Sequence, residues 1–325
     1  MVIFHEQYSP FMKSILLILG LSLALKSLGQ KANAYFADIQ NFWSCYDSVQ
    51  LTADSLKQTE LIQRLYIDRG SKGLKDFILA KGLSASCLLK SIKSYPKFWN
   101  SIRNNSLKSE EKKGKIEKHI HSLKKMYPAF KQPEIYFLIG CLNTGGTTNS
   151  GTVLIASEIA AADSLVNASE LDKNFQDIFR YLTDISFVVV HEIVHTQQIS
   201  GYYGETLLAR CLAEGSADFI AELVTEKNIS TPYIVYGFTN EKKLWHQFQS
   251  EMHTSRLSNW LYNAKDSMKI PADLGYFMGY AICQSYYINS KNKERAIKEI
   301  IELSFDTNSI KKFLKKSRYA EKLKN

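Results

Sequence analysis

Apolar residues between Tyr35 and Tyr127 recur three and four positions apart, as in LIQRLYI (61–67), FILA (77–80) and SEEKKGKIEKHIHSLKKMY (109–127). That spacing gathers them on one side of a helix, so this half of the chain predicts several amphipathic helices. The texture changes after Lys131. PEIYFLIGC (133–141) is a compact apolar run, the LNTGGTTNSG that follows is rich in turn formers, and TVLIASEIA (152–160) is apolar again. Two β-prone segments around a Gly-Gly turn predict a hairpin or a pair of neighbouring strands. Helical spacing then returns over roughly 173–182, 184–199, 205–227, 240–252 and 273–288. The expected fold class is α+β, predominantly helical, with a small β-hairpin or sheet. We expect a helical N-terminal segment over 35–130, a second domain over 131–310 and a basic tail over 311–325, with no flexible linker at the boundary.

Residues 1–34 read as an address. Lys13 precedes the apolar run SILLILGLSLAL, and small residues follow, ending in Ala32-Asn33-Ala34. A short apolar core behind a positive charge and ahead of such a site is the pattern of a secretory signal peptide, and the run is short for a membrane span. Cleavage after Gly29 is the alternative site, and Met12 would be a more ordinary start. The expectation is an exported protein, periplasmic or secreted in a bacterial cell envelope. It would touch a membrane only through an uncleaved signal segment, and Lys26 argues against that anchor.

Composition narrows the class. At 325 residues with 45% hydrophobic and 22% charged positions, few Gly (16) and Pro (6) and no internal period, the chain is globular and neither collagen-like nor a solenoid. Its net charge of +9 is concentrated in residues 107–125 and after Ser290, without interleaved aromatics, which reads as solvated helix faces and implies no nucleic-acid partner. Five scattered cysteines include no CxxC pair; an odd number leaves at least one thiol unpaired, and spacing does not choose partners for the others.

Chemistry concentrates in FVVVHEIVHTQQ (187–198). Positions four apart on a helix project from one face, so His191 and His195 can meet one ion, while Glu192 sits at the edge of that face, where it can reach a water on the metal without displacing it. After a helix stop at Ser200-Gly201 the chain can reverse into ETLLARCLAEGSADFIAEL (205–223). There Glu214 and Asp218, four apart in an apolar helix, would repel each other unless a cation or an imidazole N–H satisfies them. Glu214 as third ligand and Asp218 as the acceptor that orients an imidazole would satisfy both. Three protein ligands leave an open position, the mark of a catalytic rather than a structural zinc.

HEIVH followed by EGSAD resembles the HExxH…ExxxD arrangement of the gluzincin metallopeptidases, the thermolysin-like class. It is similar, more closely, to a bacterial family of predicted zinc-dependent proteases related to the gliding-motility lipoprotein B proteins. IYFLIGCLNTGGT, LLARCLAEGSADFIAEL and PADLGYFMGYAICQSYY carry the rest of the likeness, which covers about residues 125–290. The resemblance implies a zincin-like helix pair, Zn2+ held by His191, His195 and Glu214, Glu192 as general base, Asp218 behind the ligands, and a peptide or protein substrate. No cysteine stands where the lipoprotein relatives attach lipid.

An oxyanion donor is also needed. GYFMGY (275–280) offers Tyr276 and Tyr280, with Gly275 and Gly279 allowing close approach of a backbone or a substrate; Tyr287, His246 and His253 are further candidates. Because gluzincin substrates pair with a sheet edge, the likeness also points to the 135–160 strands, with Asn143, Gly145 and Gly146 at the turn, as a substrate-binding edge. The rival reading is a zinc-binding envelope or gliding-motility assembly component without turnover, against which an intact Glu192 argues.

Overall fold

Side-chain caps at the starts of segments turn the sequence pattern into discrete helices. The computed structural model describes residues 32–181, 184–198, 203–263 and 270–324. The expected leader lies outside the described residues up to Lys31, and the expected Ser200-Gly201 stop lies outside them altogether. Helices α1 (Ala37–Gln50), α2 (Ser55–Ile62), α3 (Lys72–Lys81), α4 (Ala85–Ser94), α5 (Pro96–Leu107) and α6 (Lys113–Met126) make up the N-terminal half. Asp54, Ser71 and Ser84 accept hydrogen bonds from the first free N–H groups of α2, α3 and α4. Their buried faces, including Phe42, Trp43, Phe77, Trp99 and Ile116, join one core with the sheet.

The sheet has four strands, β1 (Asn33–Tyr35), β2 (Glu134–Leu138), β3 (Gly146–Asn149) and β4 (Thr152–Ala156), in the order β1-β2-β4-β3. The first three are parallel and β3 is antiparallel at the edge. All five residues of β4 are buried, as expected for a strand covered on both faces.

Of the two expected arrangements, a hairpin or a pair of neighbouring strands, the pair is the one found. The segments 133–141 and 152–160 contribute neighbouring strands, but parallel ones, which a tight turn cannot join. The chain instead runs through a loop over 139–145 and returns as β3, and the hairpin is β3–β4, turned by Ser150 (φ 48°) and Gly151 (φ 79°). Gly146 therefore opens a strand rather than forming the turn.

The remaining helices of eight residues or more are α7 (Lys173–Tyr181), α8 (Ile185–Gln197), α9 (Leu207–Thr225), α10 (Pro232–Thr239), α11 (Glu241–Glu251), α12 (Leu274–Asn289), α13 (Lys293–Ile301) and α14 (Thr307–Ser317). Helices α9 and α12 lie backbone to backbone. A methyl group on Gly215 would fall 2.1 Å from the Tyr280 nitrogen and one on Gly279 1.7 Å from the Cys211 carbonyl, so only glycine fits at either place. The lysine-rich C-terminal segment is helical, with Ile310, Phe313 and Tyr319 buried on its inner side.

Cys87 and Cys141 form a disulfide between α4 and the 139–145 loop. Cys45, Cys211 and Cys283 are buried thiols.

Candidate metal centre

Helix α8 is apolar nearly all round because it is enclosed on several sides, by β3 and β4 and by α9. Asp184 starts it by accepting from the Ser186 N–H at 2.9 Å, and Lys115 and Lys227 hold the carboxylate's other oxygen. Two polar rings on this helix, His191 and His195, turn toward α9, from which Glu214 meets them.

The His191 and His195 Nε2 atoms are 3.1 Å apart, and Glu214 Oε2 lies 3.2 Å from His195 Nε2 and 3.6 Å from His191 Nε2. Ligands about 2.0–2.1 Å from a tetrahedral zinc stand roughly 3.3–3.5 Å apart, so these three atoms already form one face of such a tetrahedron. The donor set therefore fits zinc. The far sides of the rings are fixed as well. His191 Nδ1 is 2.8 Å from Asp218 Oδ1 and His195 Nδ1 is 2.8 Å from Gln198 Oε1. Both partners are acceptors, so each Nδ1–H donates outward and Nε2 is the ring nitrogen turned toward Glu214.

These partners are themselves held. Gln198 Nε2 donates to the Ala213 carbonyl (2.8 Å) and to Ser216 Oγ (2.9 Å), and the Tyr233 hydroxyl donates to Asp218 Oδ2 (2.9 Å). Tyr262 donates its hydroxyl to Glu214 Oε1 at 3.1 Å.

The electrostatics favour a cation. Burial works against an imidazolium at His191, but its hydrogen bonds to Asp218 and Glu214 outweigh this and raise it well above the ordinary imidazole range. His195 is raised too, with Glu214 overcoming burial, while the imidazoles hold Glu214 well below the usual carboxylate range against the effect of burial. Burial lifts Glu192 above that range, and the two imidazoles partly offset it.

Glu192 faces a cavity of about 480 Å³ that also contains His191, His195, Glu214 and Asp218. Its carboxylate lies against the start of β3, where a methyl on Gly146 would come within 2.6 Å of Glu192 Oε1. A larger cavity of about 700 Å³, beside Lys243, Trp260 and Pro271, holds none of these groups.

Among the other expected site residues, Gly145, Gly146 and Tyr276 line the cavity. Tyr276 lies nearly parallel to the His191 ring, at 6.3 Å between centroids. Tyr280 does not line it. The cavity reaches only the first turn of α12, and one turn further on the Tyr280 hydroxyl donates to Glu222 Oε1 at 2.6 Å, with its ring against Phe219. Asn143 also falls outside, its amide donating to the Lys81 carbonyl at 3.3 Å, as do Tyr287, His246 and His253.

Sequence reasoning missed Gln198, Tyr203, Tyr233 and Tyr262. Gln198 had a signal, since it follows His195 by three positions at the helix end. Tyr262 had none: it sits in a loop at φ 58°, its N–H donating to Asp273 Oδ1 at 2.6 Å.

A family model described as predicted Zn-dependent protease matches residues 117–308, a span containing α8, α9 and α12. No curated protein and no solved structure matches the chain. The match covers more than half of the 325 residues and includes the whole His-His-Glu group. The chain belongs to the DUF2268 family of predicted Zn-dependent proteases.

Proposed function

We propose that this chain is an exported zinc peptidase of gluzincin type, with His191, His195 and Glu214 as ligands and Glu192 as general base. The observation that carries the reading is the triangle of three ligand atoms with a second carboxylate, Glu192, beside it on a cavity wall. Zinc held there would supply Lewis acidity to a peptide carbonyl and make an attacking water more acidic.

The protein's own groups do the remainder. Glu192, next to the ligands but bound to none of them, takes the proton of the attacking water and delivers it to the leaving nitrogen. Gly146 leaves room for that carboxylate, since any side chain at this position would displace it. Tyr276, against His191, is the hydroxyl we assign to the developing oxyanion. Asp218 and Gln198 keep the two imidazoles in the ligating tautomer. The peptide substrate enters along β3, the edge strand bordering the cavity.

Export is supported by the Cys87–Cys141 disulfide, a bond that persists in oxidising compartments. Leader cleavage after Gly29 would keep β1 whole, whereas cleavage after Ala34 would remove two of its three residues.

Glu192→Gln is the test. The variant should keep its zinc, measured by mass spectrometry of protein purified without a polyhistidine tag, and lose hydrolysis of a peptide library. Full turnover by the variant would remove Glu192 from the role of base.

A further inference from the structure

The acids lining the cavity are all engaged at the metal centre. Glu214 faces both imidazoles and Tyr262, Asp218 is shared by His191 and Tyr233, and Glu192 rests against Gly146. The cavity's two other charged residues are Lys81, at the end of α3, and Arg210, on α9 one turn before Glu214. Neither side chain makes an ion pair or hydrogen bond among the described residues. With a dication bound, the acids are nearly compensated and these two bases leave the cavity net positive.

Arg210 is the better placed of the two to recognise a ligand. Its guanidinium lies over the Tyr203 ring, 5.8 Å from the centroid, and close enough to the Tyr262 hydroxyl to act on it electrostatically. Contact with an aromatic ring consumes no guanidinium N–H, so the group keeps the donor fork that grips a carboxylate through two parallel hydrogen bonds. Tyr203 in turn stands edge-on to His195, with ring centroids 5.8 Å apart, so Arg210 and the imidazoles border one cavity with Tyr203 in contact with both. The simpler role, an ion pair with Glu214 one turn along the helix, is not made: Glu214 Oε1 accepts from Tyr262 and Oε2 faces the imidazoles.

We propose that Arg210 receives a carboxylate of the substrate, so that the cleft selects peptides with an anionic group, an acidic side chain or a free C-terminus, close to the scissile bond. This rests on the peptidase reading above. No covalent step is involved.

The test uses short quenched fluorescent peptides that differ only in Glu or Gln at one position, each made with a free and with an amidated C-terminus. Wild type should favour the carboxylate form by about tenfold or more in kcat/KM. The Glu–Gln pair and the acid–amide pair separate the two sources of the anion. Arg210→Gln should abolish the preference through KM, with zinc content and kcat on the neutral peptide retained, and Arg210→Lys should restore part of it.

The same peptides are titrated calorimetrically into zinc-loaded Glu192→Gln, a readout independent of turnover. Equal binding of carboxylate and neutral forms overturns the proposal, as does an undiminished preference in folded Arg210→Gln or Arg210→Lys. A binding preference that depends on Arg210, in a wild-type protein that cleaves no peptide, sinks the hydrolase reading and leaves the anchor standing.

Discussion

A Glu158→Gln variant is expected to be less stable than the parent at about pH 4 and more stable at about pH 8. Glu158 has no exposed surface, and its oxygens accept from the Gly140 N–H at 2.9 Å and the Leu142 N–H at 3.3 Å. Burial, only partly offset by these N–H groups, pushes its carboxyl from 4.5 up to about 7. Between those values the folded chain keeps a proton that the unfolded chain releases, so raising the pH favours unfolding. With about 1.4 kcal/mol per pKa unit, roughly 3 kcal/mol of stability present below pH 4.5 is lost as the pH rises through 7. Glutamine cannot ionise and escapes that loss. Its single oxygen still serves Gly140, but its NH2 opposes the Leu142 N–H, at a cost of about 1 kcal/mol. The two stability curves should therefore cross near pH 5, with the variant ahead by about 2 kcal/mol at pH 8. Urea titrations of both proteins across this range, with chelator present, measure the difference directly. A difference constant with pH, or a variant weaker at pH 8, would refute the reasoning.

Three further outcomes are expected. Asp218→Ala should loosen zinc by about 10- to 100-fold, read by competition with a chromogenic chelator, because it frees the His191 ring. Cys87→Ser should lower stability by about 4 kcal/mol, from the entropy of the loop that the disulfide closes, and an unchanged urea midpoint would count against a formed bond. Gly146→Ala should depress kcat while leaving zinc in place, since the added methyl sits 2.6 Å from Glu192 Oε1; wild-type turnover would show that the carboxylate works elsewhere.

What could be read from the sequence follows from which signals are local. Helices with one wet face, such as α6, announce themselves by spacing, and His191 with His195 declares a shared face by the same rule. Glu214 and Asp218 stand out because two carboxylates in an apolar helix require a partner, and the structure brings both to the imidazoles. Pairing across the chain leaves no such trace. The β2–β4 contact is parallel and depends on a route the local pattern does not encode, and two of the three residues of β1 fall within the stretch that reads as leader. Tyr262 reaches Glu214 from a loop, and among five cysteines only the fold selects Cys87 with Cys141. Tyr280, offered beside Tyr276 for the oxyanion, lies outside the cavity, because helical spacing predicts a shared face but not where a cavity ends.

The glycine seam between α9 and α12 gives the cleft one stiff wall. Arg210, Glu214 and Asp218 ride on one of these helices and Tyr276 on the other, and with no side chains between the backbones to act as a cushion the two cannot slide independently. Any adjustment to differently shaped ligands falls to the opposite wall at β3, since the loop before that strand is itself held by a buried carboxylate at Gly140 and a disulfide at Cys141.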